Sequence, residues 1–375
     1  MSRLLQFLGE FGNILQQQLF PTLREELGEL SHYHEQFIAV LGLLNIEAVT
    51  SAPRRRGRRG HDRVNIARAF VAKAIFRLPT TRALLDRLHC DPVLRRLCGW
   101  ERAAAIPDET VVSRAFARFA KTGLAQRAHQ LLIERTQRAR LVGHIVRDSS
   151  AIEVREKPQR KSTSATPRPK SRPHTKKERP LEKMTRVERQ CSGKMTLEQM
   201  LAELPQVCDV GCKNNSHGNK SVWIGYKLHL DVADGHIPIS AVLTSASLHD
   251  SQAAVPLARM TAQRVINCYD VMDSAYDSFH IRELSRSLQH VPVIEPQRRA
   301  ANHVPLSPHQ RARISERTTI ERVFSRLKDE FGARWVRVRG AAKVMTHLMF
   351  GLLALTADQI LRLGNLNRLS PPVPS

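Results

Sequence analysis

Apolar residues recur at helical spacing through the first third of the chain, change to short β-branched runs in the middle, and return to helical spacing near the end. Within residues 1 to about 50, Leu15, Leu19 and Leu23, then Phe37, Val40 and Leu41, predict one or two helices. Helical patterns follow over 64–76, 81–88 and 92–97, punctuated by Leu78-Pro79, Asp91-Pro92 and Gly99-Trp100. Pro107-Asp108-Glu109-Thr110 then opens a helix that turns Val111, Val112, Phe116 and Phe119 inward and Arg114 and Arg118 outward. Residues 1–140 therefore read as an all-α N-terminal domain.

From Leu141 the period changes. Leu141-Val-Gly-His-Ile-Val-Arg-Asp148 is a β-branched run expected to end as a strand at Asp148, and Ile266-Asn-Cys-Tyr-Asp-Val-Met-Asp273 is a second that ends at Asp273. Runs over 222–230 and 237–243, joined through Asp234-Gly235, predict a hairpin. A strand over 291–294 and crossover helices over 253–264 and 278–287 complete an α/β domain with a mixed sheet over 141–365. A helix around Glu321 docks on that sheet, an apolar helix over 344–363 caps it, and 366–375 is a tail. An insertion at 155–220 interrupts the domain. Between Arg155 and Gln190 it holds thirteen Lys or Arg, four acids and five prolines, which predicts a basic, disordered segment closed by a short amphipathic helix over 197–204.

Charge narrows the partner. Fifty-nine Lys and Arg against thirty-five Asp and Glu give a formal charge of +24 and a pI near 10.7 over 375 residues. Such an excess points to a polyanion, whose phosphates release counterions when neutralised. The basic loop at Arg54, Arg55 and Arg56, with Arg114 and Arg118, then marks the helical section either as a DNA-end reader of helix-turn-helix character or as a bundle that supports the sheet. The N-terminus is amphipathic and broken by Glu10, and the apolar stretches at 37–44 and 348–355 are too short to span a bilayer, so a cytoplasmic, nucleoid-associated protein is expected. Six scattered cysteines read as reduced thiols, and Cys191, Cys208, Cys212 and His217 fit no common zinc spacing.

Arg317, Glu321 and Lys328 are spaced by four and seven, which places an acid between two cations on one helical stripe. A surface ion-pair ladder is the plain alternative. With Asp148 and Asp273, however, Glu321 makes three hard oxygen donors, which suit Mg2+ or Mn2+ better than zinc. Two such ions about 4 Å apart activate a water or a 3′ hydroxyl for in-line phosphoryl transfer.

This ordered set resembles the DDE transposases of bacterial insertion sequences. The likeness runs over roughly residues 60 to 360, includes Gly225-Tyr-Lys-Leu-His229 and Leu248-His249-Asp250, and departs where Ile314 stands in place of the family's tyrosine. The resemblance implies a ribonuclease-H-like mixed sheet flanked by helices, and metal-dependent cleavage and strand transfer at the ends of the element. Asp148 would bridge two Mg2+ or Mn2+ ions, Asp273 and Glu321 would each help hold one, and Arg317 and Lys328 would fix the DNA backbone. His249 and Asp250, and Lys227 and His229 on one strand face, are candidates for support. Trp223 and Trp335 are candidates for base stacking, with core packing the expectation for Trp223. Partners would be double-stranded DNA, as terminal inverted repeats and target, and a second copy of the chain in a synaptic homodimer. A ribonuclease-H-like nuclease without strand joining, and a catalytically inactive DNA-binding derivative, remain as alternatives.

Overall fold

A computed structural model describes residues 3–50, 60–138, 140–158, 184–214, 219–296 and 305–369. Among the described residues nine α-helices occupy the N-terminal part: α1 Arg3–Ile14, α2 Phe20–Leu27, α3 His32–Leu43, α4 Ile46–Thr50, α5 Arg63–Ile75, α6 Thr81–Cys90, α7 Pro92–Cys98, α8 Glu109–Thr122 and α9 Leu124–Gln137. Their starts follow from capping side chains. Ser31, Asp62, Thr80 and Asp91 each accept a hydrogen bond from an amide of the first turn of α3, α5, α6 and α7. Gly99 and Gly123, both left-handed, end α7 and α8.

The sheet follows. Its strands are β1 Leu141–Glu153, β2 Asp209–Asn214, β3 Lys220–Ala233, β4 Ile237–Ser245, β5 Ile266–Met272 and β6 Val291–Ile294. β3 lies antiparallel between β1 and β4, whereas β5 runs parallel to β1 and β6 parallel to β5. This is the ribonuclease-H-like arrangement, with helices on both faces. Helices α12 Ser251–Ala262 and α13 Phe279–Ser287 cover one face; α14 Pro308–Ile314, α15 Thr318–Asp329 and α16 Ala341–Leu369 complete the chain.

Three expectations need correction. β1 does not end at Asp148 but continues to Glu153, because β3 goes on pairing with it after β5 has stopped. Within the insertion expected at 155–220, residues 184–214 form regular structure. Capping boxes at Thr185/Glu188 and Thr196/Gln199 start α10 Arg186–Cys191 and α11 Leu197–Ala202, and Met200 packs with Val255, Ala258 and Leu284 of the α12/α13 layer. The few apolar residues there bury well although the average composition is polar; residues 159–183 lie outside the described residues.

The third correction concerns length. The window Ala341–Gly364 of α16 is long and apolar enough to cross a membrane, yet it is 83% buried within the protein. It is a core helix. α16 packs on α1, α3, α5, α8, α9 and β4, and Phe350 joins Phe70, Phe116 and Phe119 in an aromatic cluster with ring centroids 4.7–6.5 Å apart. One hydrophobic core therefore runs from the N-terminal helices through α16 to the sheet. Each large side chain buried there contributes roughly 1.5–3 kcal/mol.

Candidate active site

The last parallel pair between β1 and β5 is Arg147 with Met272. Asp148 and Asp273 are the next residues on the two strands, so the fold delivers both carboxylates side by side at one sheet edge. Each is held by a nearby amide: Ser149 donates to Asp148 at 2.7 Å, and Ala275 donates to Asp273 at 3.0 Å. Burial pushes the Asp148 carboxyl up to about 6; the Ser149 amide opposes this and the Asp273 charge adds to it. Asp273 is also raised by burial, with Arg317 working against the shift.

Arg317 stands before both acids. Its guanidinium is 4.0 Å from Asp148 and 4.0 Å from Asp273, and it donates at 3.1 Å to Glu295, the residue that follows β6. Thus three neighbouring parallel strands, β1, β5 and β6, each run into an acid that faces one arginine. Eleven residues on, Lys328 donates to Ser150 at 2.7 Å, so the two cations of the stripe bracket the edge of β1 as their spacing predicts. Val323, Phe324 and Leu327 pack inward, and Ile314 is partly buried against the same core, where an apolar residue suits the position.

Glu321 lies between the two cations on α15, exposed to solvent. Among the described residues no three His, Cys, Asp or Glu side chains stand close enough together to hold a metal ion. The structure places Asp148 and Asp273 near enough for their charges to act on one another, with Glu321 on α15. The donors fit a hard divalent cation nonetheless. Two carboxylates repel across the strand ends, and an arginine at 4.0 Å answers that repulsion only partly.

Behind the acids, on the α12 face, the supporting residues separate. Lys227 donates to Asp250 at 2.9 Å and to the Leu248 carbonyl at 2.8 Å, and Ser149 also hydrogen-bonds Asp250. Asp250 thereby ties β3 to the residue next to Asp148. His249 is exposed and hydrogen-bonds its neighbour Ser251 at 2.8 Å. His229 is fully buried against Thr244, and burial lowers its pKa to about 4, so it is a neutral core residue. One residue before Asp148 on β1, Arg147 is buried with a bidentate pair to Asp231 at 2.8 Å. Lys213 on β2 is near enough for its charge to bear on Asp148 and Asp273. Sequence reasoning missed Lys213 and Glu295, and gave no role to the buried Tyr276 nearby, which it met only as part of the run Met272-Asp273-Ser-Ala-Tyr276. Glu295 carried a usable signal, since Val291-Pro-Val-Ile-Glu295 repeats the pattern of an apolar strand running into an acid.

Of the expected DNA contacts on the helical section, Arg114 and Arg118 are exposed on α8, and Arg118 lies close enough to Arg63 for the two charges to repel. Arg54, Arg55 and Arg56 lie outside the described residues, as does His217. Trp223 is buried and its ring N–H donates to the Tyr226 carbonyl at 3.1 Å, while Trp335 is exposed under Arg337. The six cysteines are free thiols.

No curated protein and no solved structure matches the chain. Two family models do match it. A transposase domain (DUF772) covers residues 23–118, and the transposase DDE domain covers residues 144–357, from three residues into β1 to the middle of α16. Because the second match takes in more than half of the chain and includes the whole acidic edge, the protein belongs to the DDE transposases.

Proposed function

We propose that this transposase performs metal-dependent cleavage of DNA at the ends of its own insertion sequence and joins the freed ends to a target. The observation that carries the reading is the emergence of Asp148 and Asp273 from adjacent parallel strands, one residue beyond the Arg147/Met272 pair, with Arg317 at 4.0 Å from each. Asp148 and Asp273 would hold Mg2+ or Mn2+, with Glu321 completing the donor set from α15. Two such ions supply a Lewis acid for the scissile phosphate and a deprotonated nucleophile.

The chain's own side chains do the rest. Arg317 and Lys328 present positive charge along the edge of β1, where a phosphate backbone can replace the acid and hydroxyl they now contact. Asp250, locked by Lys227 and Ser149, keeps the strand beneath Asp148 in register. The exposed Arg114 and Arg118 let residues 1–140 bind phosphates, which would relieve the repulsion between Arg118 and Arg63 while the helices read the end sequence. Two ends handled together call for two copies of the chain.

The test uses full-length protein and a duplex carrying the inverted repeats that flank the coding region. Asp148→Asn, Asp273→Asn and Glu321→Gln should each abolish cleavage in Mg2+ while leaving binding of that duplex within about twofold of wild type. Cleavage at near wild-type rate by any variant removes that acid from the site. Cleavage by the wild type without joining to target DNA would instead identify a nuclease.

A further inference from the structure

Tyr276 closes the short 3-10 turn Ser274–Tyr276 that follows Asp273, and its amide donates to the Asp273 carbonyl at 3.1 Å. The ring is 1% exposed and packs with Ala254, Met272, Ile281 and Ile294. That packing accounts for an aromatic ring but not for its oxygen. The hydroxyl is buried and has no hydrogen-bond partner among the described residues. Buried hydroxyls are nearly always paired, because an unpaired one has given up its water for nothing. Phenylalanine would fill the same space without that cost, so the fold alone gives no reason for the hydroxyl.

Its electrostatic surroundings supply one. The acids whose charges bear on it are Asp250, Asp148 and Asp273. A hydroxyl within the field of three carboxylates gains by donating, and burial together with those charges keeps it protonated. Asp250 already takes the Lys227 ammonium and the Ser149 hydroxyl. Asp148 and Asp273 have one amide each on Oδ1 and a guanidinium too distant for a hydrogen bond. Those two carboxylates therefore retain accepting capacity.

We infer that the Tyr276 hydroxyl is a positioning donor for the metal-loaded site, giving its hydrogen to a carboxylate oxygen of Asp148 or Asp273 once a divalent cation has fixed their orientation. It acts as the outer partner of a metal ligand, the role hydrogen-bonded groups play around ligating carboxylates generally. The inference rests on the proposal that Asp148 and Asp273 hold the cation. It asks nothing of Tyr276 in catalysis itself.

The experiment compares full-length wild type, Tyr276→Phe and Asp273→Asn by thermal melting, first with chelator and then across a titration with Mg2+ and with Mn2+. Tyr276→Phe should melt in chelator at or above the wild-type temperature, because it removes an unpaired buried oxygen. Its half-maximal cation concentration should rise about tenfold, with DNA cleavage recovering at high cation concentration. An unchanged cation midpoint overturns the inference. So does a lower melting temperature in chelator, or failure to fold, since either shows that the hydroxyl serves the fold itself. If Asp273→Asn abolishes a cation response that Tyr276→Phe leaves intact, only the role of Tyr276 falls. If the wild type gives no response, or Asp273→Asn keeps it, the metal reading falls and the inference with it.

Discussion

Arg147 and Asp148 are neighbours in the chain, yet they point to opposite faces of β1 and belong to two different kinds of charged site. On the α12 face, Arg147 is fully buried, makes two bonds of 2.8 Å to Asp231, and has Thr261 donating to the same carboxylate at 2.6 Å. On the other face, Arg317 is partly exposed and stands 4.0 Å from each of Asp148 and Asp273. Burial works to discharge Arg147, but the facing Asp231 and Asp270 outweigh it and hold the guanidinium charged. Burial raises the carboxyls of Asp231 and Asp148 alike, but Asp231 has a guanidinium bonded to both its oxygens, whereas Arg317 stands 4.0 Å from Asp148 and leaves it raised. The difference separates a charge network that is complete within the fold from one that needs something further, a cation or a phosphate, to be complete.

The contrast fails most visibly if Arg147 proves dispensable. Arg147→Ala leaves Asp231 buried without its partner and should cost about 3–5 kcal/mol, whereas Arg317→Ala should cost under about 1 kcal/mol. Denaturant melts of the two variants decide this, and equal losses would erase the distinction.

Acid provides the next largest effect. Burial lowers the pKa of His129 and His347 to about 3 and that of His229 to about 4. Their folded values lie below the unfolded value of about 6.5, so the unfolded chain takes up protons first and stability falls as the pH drops below 6.5. The loss between pH 6.5 and 5.5 should be about 2–3 kcal/mol, read from melts across that range. A flat profile would mean that these three rings are hydrated.

Asp148 has the opposite sign. Its folded value, about 6, lies above the unfolded value of about 3.9, so the folded chain holds the proton more tightly. The carboxyl therefore destabilises the metal-free fold above pH 6, and this penalty vanishes as the pH falls below 4. Asp148→Asn in chelator should gain about 1–2 kcal/mol at pH 8 and nothing near pH 4. A loss at pH 8 would place Asp148 with the satisfied charges.

Smaller effects sharpen the Arg317 side. Lys328→Ala should weaken binding to any duplex about fivefold and lower the slope of log affinity against log salt by about 1. Glu295→Gln removes the acid closest to Arg317 and should change stability by less than about 0.5 kcal/mol while raising duplex affinity about twofold. Fluorescence anisotropy at several salt concentrations measures both, and a drop in affinity for Glu295→Gln would show that the glutamate positions Arg317 for DNA.

What was legible in the sequence follows from how local each signal is. The β-branched runs, the Asp234-Gly235 turn and the 3.6-residue stripe of α15 are local, and each appears where it was expected. β2 was missed because Asp209-Val-Gly-Cys-Lys-Asn214 pairs only with the first half of β3, a partner no local pattern reveals. The continuation of β1 past Asp148 likewise depends on β3, with Ser149 and Ser150 bonded to Asp250 and Lys328 far along the chain. In the site, Asp148 and Asp273 were named from the β-branched runs that lead into them, and the fold sets those runs side by side as β1 and β5. Tyr276 stood in the run after Asp273 without a role, since an orphaned hydroxyl is visible only when its surroundings are.

The position of α16 bears on the order in which this protein comes into being. The helix that fills the centre of the core lies near the C-terminal end of the sequence, and it packs on α1, α3, α5, α8 and α9 from the opposite end. During synthesis the N-terminal helices leave the ribosome with their apolar faces uncovered, and they stay so until synthesis has passed the sheet and reached α16. A product truncated before Ala341 lacks the centrepiece of its own interior, so it should be cleared by proteolysis rather than persist as a folded fragment.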